Sequence, residues 1–288
     1  MKILVTGAGG QLGREIRDLS DNYPYQFIFT DISDLDITNL ALVKQNVLEN
    51  KVSCVINCAA YTAVDVAESK PDIATIVNVD AVRNLVLVSN EFDIPLIHIS
   101  TDYVFDGEKS TPYNETDKPN PLSVYGKTKL EGEQEILKNA FRAIIFRTSW
   151  LYSNYGNNFV KTIIRLGKER DRLKLVYDQI GTPTYAKDMA EFILNNIQFI
   201  SQHEKPDIYH YSNEGVASWY DFAKAIIELA KIDCTIEPIE TYEYPTPARR
   251  PCYSVLSKKK VKQIFGANIS YWRDSLRNCL IQPKKEII

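Results

Sequence analysis

Short β-branched runs and longer amphipathic stretches alternate through the first half of the chain. Apolar runs of strand length fall at residues 2–6, 26–30, 54–57, 96–100 and 143–147. Between them, apolar positions recur at three- and four-residue spacing near 12–20, 40–50, 67–91 and 123–139, the period of helices with one buried face. Strands interleaved with helices make βαβ units, which close into a parallel sheet covered on both faces. Right-handed crossovers wind that sheet both ways and leave a ligand crevice at the carboxyl ends of the strands. The expected fold is α/β with a doubly wound parallel sheet. After residue 150 the pattern loosens, with one further helix over 183–197 and one further strand over 208–211.

The residues able to do chemistry fall at those strand ends. Thr6-Gly7-Ala8-Gly9-Gly10-Gln11-Leu12-Gly13 follows the first strand and opens a helix. Gly7, Gly10 and Gly13 permit a tight turn and a close approach of backbone to a pyrophosphate, whose charge a helix N-terminus favours. This makes the fold a Rossmann type and the stretch 7–13 a dinucleotide site. Asp31 ends the second strand, where a carboxylate accepts hydrogen bonds from an adenosine ribose and repels a 2′-phosphate; that chemistry leans towards NADH. Residues 1–150 are then a dinucleotide-binding domain, rejoined by about 179–213. Segments 151–178 and 214–288, rich in Tyr, Pro and Arg, are expected to form a smaller substrate lobe over the crevice.

Tyr125 and Lys129 are four residues apart, hence on one face of the helix predicted there. A carbonyl reduced by hydride needs a proton donor and an oxyanion partner. Tyr125 fits the donor, Lys129 a cation that lowers the phenol pKa and holds a nicotinamide ribose, and Thr101 a hydroxyl for the same oxygen, with Ser100 as its competitor. Arg249 and Arg250, in a Pro-stiffened loop, suit a nucleotide diphosphate or ordinary surface ion pairs. His98, His203 and His210 form no catalytic or metal cluster.

Net charge −3 and a pI near 5.8 argue against nucleic acid or an anionic membrane as main partner. The basic run Lys258-Lys259-Lys260 reads as a solvated face. Met1–Val5 meets the glycine turn too early for a signal core, and no stretch reaches the roughly 18 apolar residues of a membrane span. A soluble, cytoplasmic protein is expected, its five cysteines buried or incidental thiols.

Several motifs in order carry a resemblance: the glycine turn, Ser100-Thr101-Asp102-Tyr103-Val104-Phe105-Asp106-Gly107, Pro121 to Lys129 with Glu131-Gly132-Glu133, and Arg147-Thr148-Ser149-Trp150. Asn157-Asn158-Phe159, Asp178-Gln179, Gly181-Thr182-Pro183-Thr184 and the loop from Tyr244 to Pro251 complete it. The chain resembles the extended short-chain dehydrogenase/reductases and, within them, the dTDP-4-dehydrorhamnose reductases. The resemblance implies reduction of a 4-keto dTDP-sugar by NADPH or NADH, the choice between cofactors staying open. It places Gln11 and Leu12 at the cofactor, Asp36 and Ile37 at the adenine, and Ala59, Ala60, Tyr61 and Thr62 along the dinucleotide. It puts Thr101, Asp102 and Trp150 around the hexose and Asn158 as a polar contact, and it is compatible with a homodimer. Mg²⁺ is associated with the family. Glu15 matches one acid implicated in holding it, but Lys187 stands where another is expected, and one carboxylate falls short of a usual Mg²⁺ set. Other 4-keto-6-deoxyhexose reductases, epimerases and non-catalytic regulatory subunits share the fold. A dehydratase would carry Asp-Glu after the Thr, where this chain has Asp102-Tyr103.

Overall fold

The structure, a computed structural model, describes residues 1–281. Its first half runs β1 (Lys2–Thr6), α1 (Gln11–Leu19), β2 (Gln26–Thr30), α2 (Leu40–Asn50), β3 (Cys54–Asn57), α3 (Val64–Ala67), α4 (Pro71–Thr75), α5 (Ala81–Glu91), β4 (Leu96–Thr101), α6 (Val124–Asn139) and β5 (Ala143–Thr148). The second half adds β6 (Leu151–Tyr152), α7 (Phe159–Glu169), β7 (Arg172–Val176), β8 (Ile180–Gly181), β9 (Thr184–Tyr185), α8 (Ala186–Ser201) and β10 (Asp207–His210). It closes with β11 (Ala217–Ser218), α9 (Trp219–Leu229), β12 (Thr235–Ile239), α10 (Lys259–Phe265) and α11 (Trp272–Ile281).

Six strands form one parallel sheet in the order β10-β5-β4-β3-β1-β2. Its strands are apolar on both faces because both faces are covered. Ile3 and Val5 join Leu12, Ile16, Met189 and Ile193 in one core layer, while Leu4 between them joins Val43, Leu85 and Ile136 in the other. Strand order reverses between β1 and β3, so the loops after these strands diverge and open the crevice. A third core gathers Tyr152, Val160, Ile163, Phe222, Ile226 and Leu276 from the second half. Of the segment 214–288, residues 282–288 lie outside the described part.

Two expected helices differ. The single helix over 67–91 is broken: Pro71, lacking an N–H, opens a new helix at its first position, and a π-helical turn at Ile76–Asp80 precedes α5. The helix expected over 183–197 begins at Ala186, because Thr184 and Tyr185 pair with β6 as a strand, and it continues to Ser201. Nor is the lysine run a purely solvated face. Lys260 is held by Asp207 at 2.6 Å, and Lys258 is nine-tenths covered beside Glu214. All five cysteines are free, with Cys54 and Cys279 buried and Cys252 exposed. Among the described residues no helix is long and apolar enough to cross a membrane.

Candidate active site

The glycine turn is built against the loop after β3. Gly7 has φ +64°, and a Cβ there would lie 2.5 Å from the Ala59 nitrogen. Gly13 packs as closely, its absent Cβ 2.6 Å from the Ala8 Cα. Asp31 accepts from the Gly9 N–H at 3.1 Å, and any side chain at Gly9 would strike that carboxylate. The strand-end acid thus braces the turn, which the sequence reading did not anticipate. Asn57, at the end of β3, holds Ala59 through its backbone N–H at 3.1 Å.

Ser123 caps α6 by accepting from the Gly126 N–H at 3.1 Å, which sets the helix start at Val124, one residue before Tyr125. Tyr125 and Lys129 then face the end of β4. A cavity of about 430 Å³ is lined by Gly7, Gly10, Gln11, Leu12 and Gly13 on one side and by Thr101, Asp102, Tyr125, Lys129, Trp150 and Asn158 on others. Ala60 and Thr62 also line it. Tyr103 and Trp219 border both this space and a second cavity of about 830 Å³, which runs past Phe159, Gln179, Tyr244 and Arg250.

Burial dominates the electrostatics. The Tyr125 phenol is pushed up to about 12 by desolvation, a Thr101 hydrogen bond working against the rise and the Asp102 charge adding to it. The phenol is therefore raised, not lowered as expected, and Thr101 rather than Lys129 is the group that opposes the rise. Lys129 itself is brought down to about 8 by desolvation, against the pull of Glu133. Its Nζ donates to the Ile99 carbonyl at 2.7 Å and lies 3.2 Å from His98 Nε2. Asp102 rises to about 7, again through desolvation. Thr101 Oγ1 donates to Asp102 Oδ1 at 3.1 Å. The competitor Ser100 is spent elsewhere: its hydroxyl donates to Glu133 Oε1 at 2.5 Å, and Glu133 is gripped by Arg147 at 2.8 and 2.6 Å.

The remaining expected residues separate into several places. Asp36 accepts from the Thr38 N–H and hydroxyl, Ile37 is buried in a core layer, and Ala59 and Tyr61 back the cavity without lining it. Asn158 caps α7 and donates to Gln11 Oε1 at 2.9 Å, so its amide ties the second half to the glycine turn. Trp150, with φ +47°, stacks on Trp219 at 3.5 Å. Arg250 forms a two-pronged pair with Asp65 at 3.0 and 2.7 Å, whereas Arg249 is exposed outside both cavities. Glu15 is buried and raised to about 7 by desolvation and then by Asp18. Among the described residues no three His, Cys, Asp or Glu side chains converge on a metal-sized point; the charge of Asp188 adds to the rise of Glu15 and that of Lys187 opposes it.

Tyr103, Trp219 and His98 are the residues that motif reading passed over. Tyr103 stood inside the Thr101-Asp102-Tyr103 motif without a role, and Trp219 stands in a helix whose apolar pattern gives no hint of a cleft.

A doubly wound sheet, a glycine turn at its switch point and Thr, Tyr and Lys side chains around one cavity define an extended short-chain dehydrogenase/reductase. Residues 1–284 match the family model described as the RmlD substrate binding domain. The chain is 45% identical to a dTDP-4-dehydrorhamnose reductase of Aggregatibacter actinomycetemcomitans, across 96% of this chain and 97% of that one. A crystal structure of a dTDP-4-dehydrorhamnose reductase from Clostridium acetobutylicum superposes with TM-score 0.93 at 45% identity, covering 97% and 98% of the two chains. One from Bacillus anthracis, in complex with NADP, gives 0.92 at 40% identity, covering 97% and 98%. The chain belongs to the dTDP-4-dehydrorhamnose reductase family.

Proposed function

We propose that the protein reduces the 4-keto group of dTDP-4-dehydro-L-rhamnose, with NADPH or NADH, to give dTDP-L-rhamnose. The observation that carries this reading is that the glycine turn and the Thr101, Tyr125 and Lys129 side chains line one continuous cavity. The close backbone packing at Gly7 and Gly13 fits a dinucleotide pyrophosphate at the start of α1. The bound nicotinamide supplies the hydride. Tyr125 gives its phenolic proton to the oxygen that becomes negative, Thr101 donates to that oxygen, and Lys129 holds the ribose and replenishes the proton. At neutral pH a phenol raised by burial is fully protonated, as a donor must be.

The substrate lobe comprises 151–178 and, among the described residues, 214–281, and its 830 Å³ cavity takes the nucleotide half of the substrate, with Arg250 towards the diphosphate. Trp150, in the smaller cavity, and Trp219, shared by both, flank the hexose beside Asp102. Tyr103 occupies the place where a dehydratase carries its Glu, which speaks for reduction over water elimination.

The test is NADH and NADPH oxidation at 340 nm with the keto sugar. Tyr125→Phe should lower kcat by about 10²–10⁴-fold while dinucleotide binding survives. Cofactor bound without net consumption points to an epimerase, and an unaffected Tyr125→Phe to a regulatory subunit.

A further inference from the structure

An ion pair is buried behind the reacting cluster. Glu133 on α6 has no exposed surface, and Arg147 near the end of β5 is 2% exposed. Arg147 donates from Nε to Glu133 Oε1 at 2.8 Å and from Nη2 to Oε2 at 2.6 Å, while the Ser100 hydroxyl donates to Oε1 at 2.5 Å. Ser100 and Arg147 are register partners on β4 and β5. Taking two charges this far out of water costs at least as much as their attraction returns, so an apolar pair of like size would hold the core as well. What the pair provides beyond stability lies in what it touches.

Each contact reaches a different element of the site. Tyr125, Lys129 and Glu133 follow one another at four-residue steps along α6, all three buried. Ser100 immediately precedes Thr101, whose hydrogen bond with the Tyr125 phenol crosses from β4 to α6. The Arg147 guanidinium lies over the Phe105 ring, 5.1 Å from its centre, and so reaches the loop that carries Asp102 and Tyr103. Its Nη1 lies 3.4 Å from His210 Nε2 on β10. The other ring nitrogen, Nδ1, faces the Tyr113 carbonyl at 3.1 Å, and a carbonyl can only accept. The ring proton is therefore on Nδ1, which leaves Nε2 to accept from Arg147. Burial keeps this ring neutral, bringing His210 down to about 3. One guanidinium thus gathers β4, β5, β10, α6 and the loop after β4, and its planar fork fixes direction as well as distance.

We propose that Ser100, Glu133 and Arg147 are positioning residues, which fix the rotation and reach of α6 against the end of β4 and so hold the Tyr125 phenol at the oxygen it shares with Thr101. Glu133 and Arg147 line neither cavity, so they act through Tyr125 and Thr101 and not on a ligand. The Ser100 hydroxyl, though its residue borders the smaller cavity, is committed to Glu133. The effect on turnover rests on the reductase reading, which makes Tyr125 the proton donor. A displacement of about 1 Å at such a donor costs about 10²-fold in rate. Contacts made equally in the bound ground state are untouched, so the signature is a fall in kcat at constant KM.

Variants of the full chain test this. Glu133→Met combined with Arg147→Met removes both charges and leaves neither unpaired, so its melting temperature should stay within a few degrees of wild type. Its kcat should fall about 10²-fold, with the KM values for dinucleotide and keto sugar within about twofold. A loss of folded molecules would also lower kcat, but only misplacement makes proton delivery the slow step. The ratio of kcat in H₂O to that in D₂O should therefore rise. Arg147→Lys keeps both charges and gives up the fork; it should lose about tenfold in kcat or more, with the same rise in the solvent isotope ratio. Ser100→Ala should lose about tenfold as well. Hydrogen exchange at residues 123–130, which needs no turnover, should quicken about tenfold in the double variant and in Arg147→Lys while β1 and β3 stay protected. Wild-type kcat in Arg147→Lys or in the double variant, an unchanged isotope ratio, or unchanged exchange overturns the proposal. If the wild type itself does not turn over the keto sugar, the reductase reading fails, and exchange at 123–130 still decides whether these residues anchor α6.

Discussion

Burial, more than pairing, sets the ionisation of the residues at this site. Glu15 illustrates it away from the reacting atoms. Its folded-state pKa of about 7 lies above the ordinary 4.5, so the folded chain binds more protons than the unfolded chain between those values. Stability contributed by protonated Glu15 is complete below about pH 4.5 and is lost as pH rises through 7. Glu15→Gln should leave denaturant stability at pH 4.5 nearly unchanged and raise it by about 2 kcal/mol at pH 8. Asp102, raised to about 7 as well, should leave the variant with a residual slope over the same range. Guanidinium titrations at the two pH values check both statements.

At the scale of elements, the π-helical turn before α5 has a purpose visible in its contacts. It presents Asn78 to the Tyr61 N–H at 2.9 Å, the Tyr61 carbonyl at 3.2 Å and the Thr128 hydroxyl at 3.1 Å, joining the loop after β3 to α6. Gly132 lets α6 approach this turn: a Cβ there would stand 2.2 Å from the Asn78 carbonyl oxygen. Gly132→Ala should therefore cost about 2 kcal/mol of stability and raise KM for the dinucleotide, which thermal melts and kinetics would show. None of this was legible in the sequence, since an apolar repeat running from 67 to 91 carries no mark of a widened turn. The strands of the main sheet were legible because doubly covered strands are continuous apolar runs, and Tyr125 with Lys129 because four-residue spacing is local. Asn57 and His98 were not, because their meaning depends on cross-strand register, and Trp219 was not, because its stacking partner lies 69 positions earlier.

For the whole molecule, the two cavities meet at Tyr103 and Trp219. Truncating Trp219 removes a wall shared by both spaces and the partner on which Trp150 is stacked. Trp219→Ala should raise KM for the nucleotide sugar about tenfold, with a smaller effect on dinucleotide affinity, in steady-state kinetics.

The link from Asn158 to Gln11 joins residues 147 positions apart, and the last strand of the main sheet, β10, arrives only at Asp207–His210. A chain emerging from the ribosome therefore carries the glycine turn and Tyr125 long before it owns a finished cleft. Full occupancy of that cleft reports that synthesis has passed Trp219, so a ligand drawn to the completed site stabilises finished molecules and leaves truncated ones to unfold.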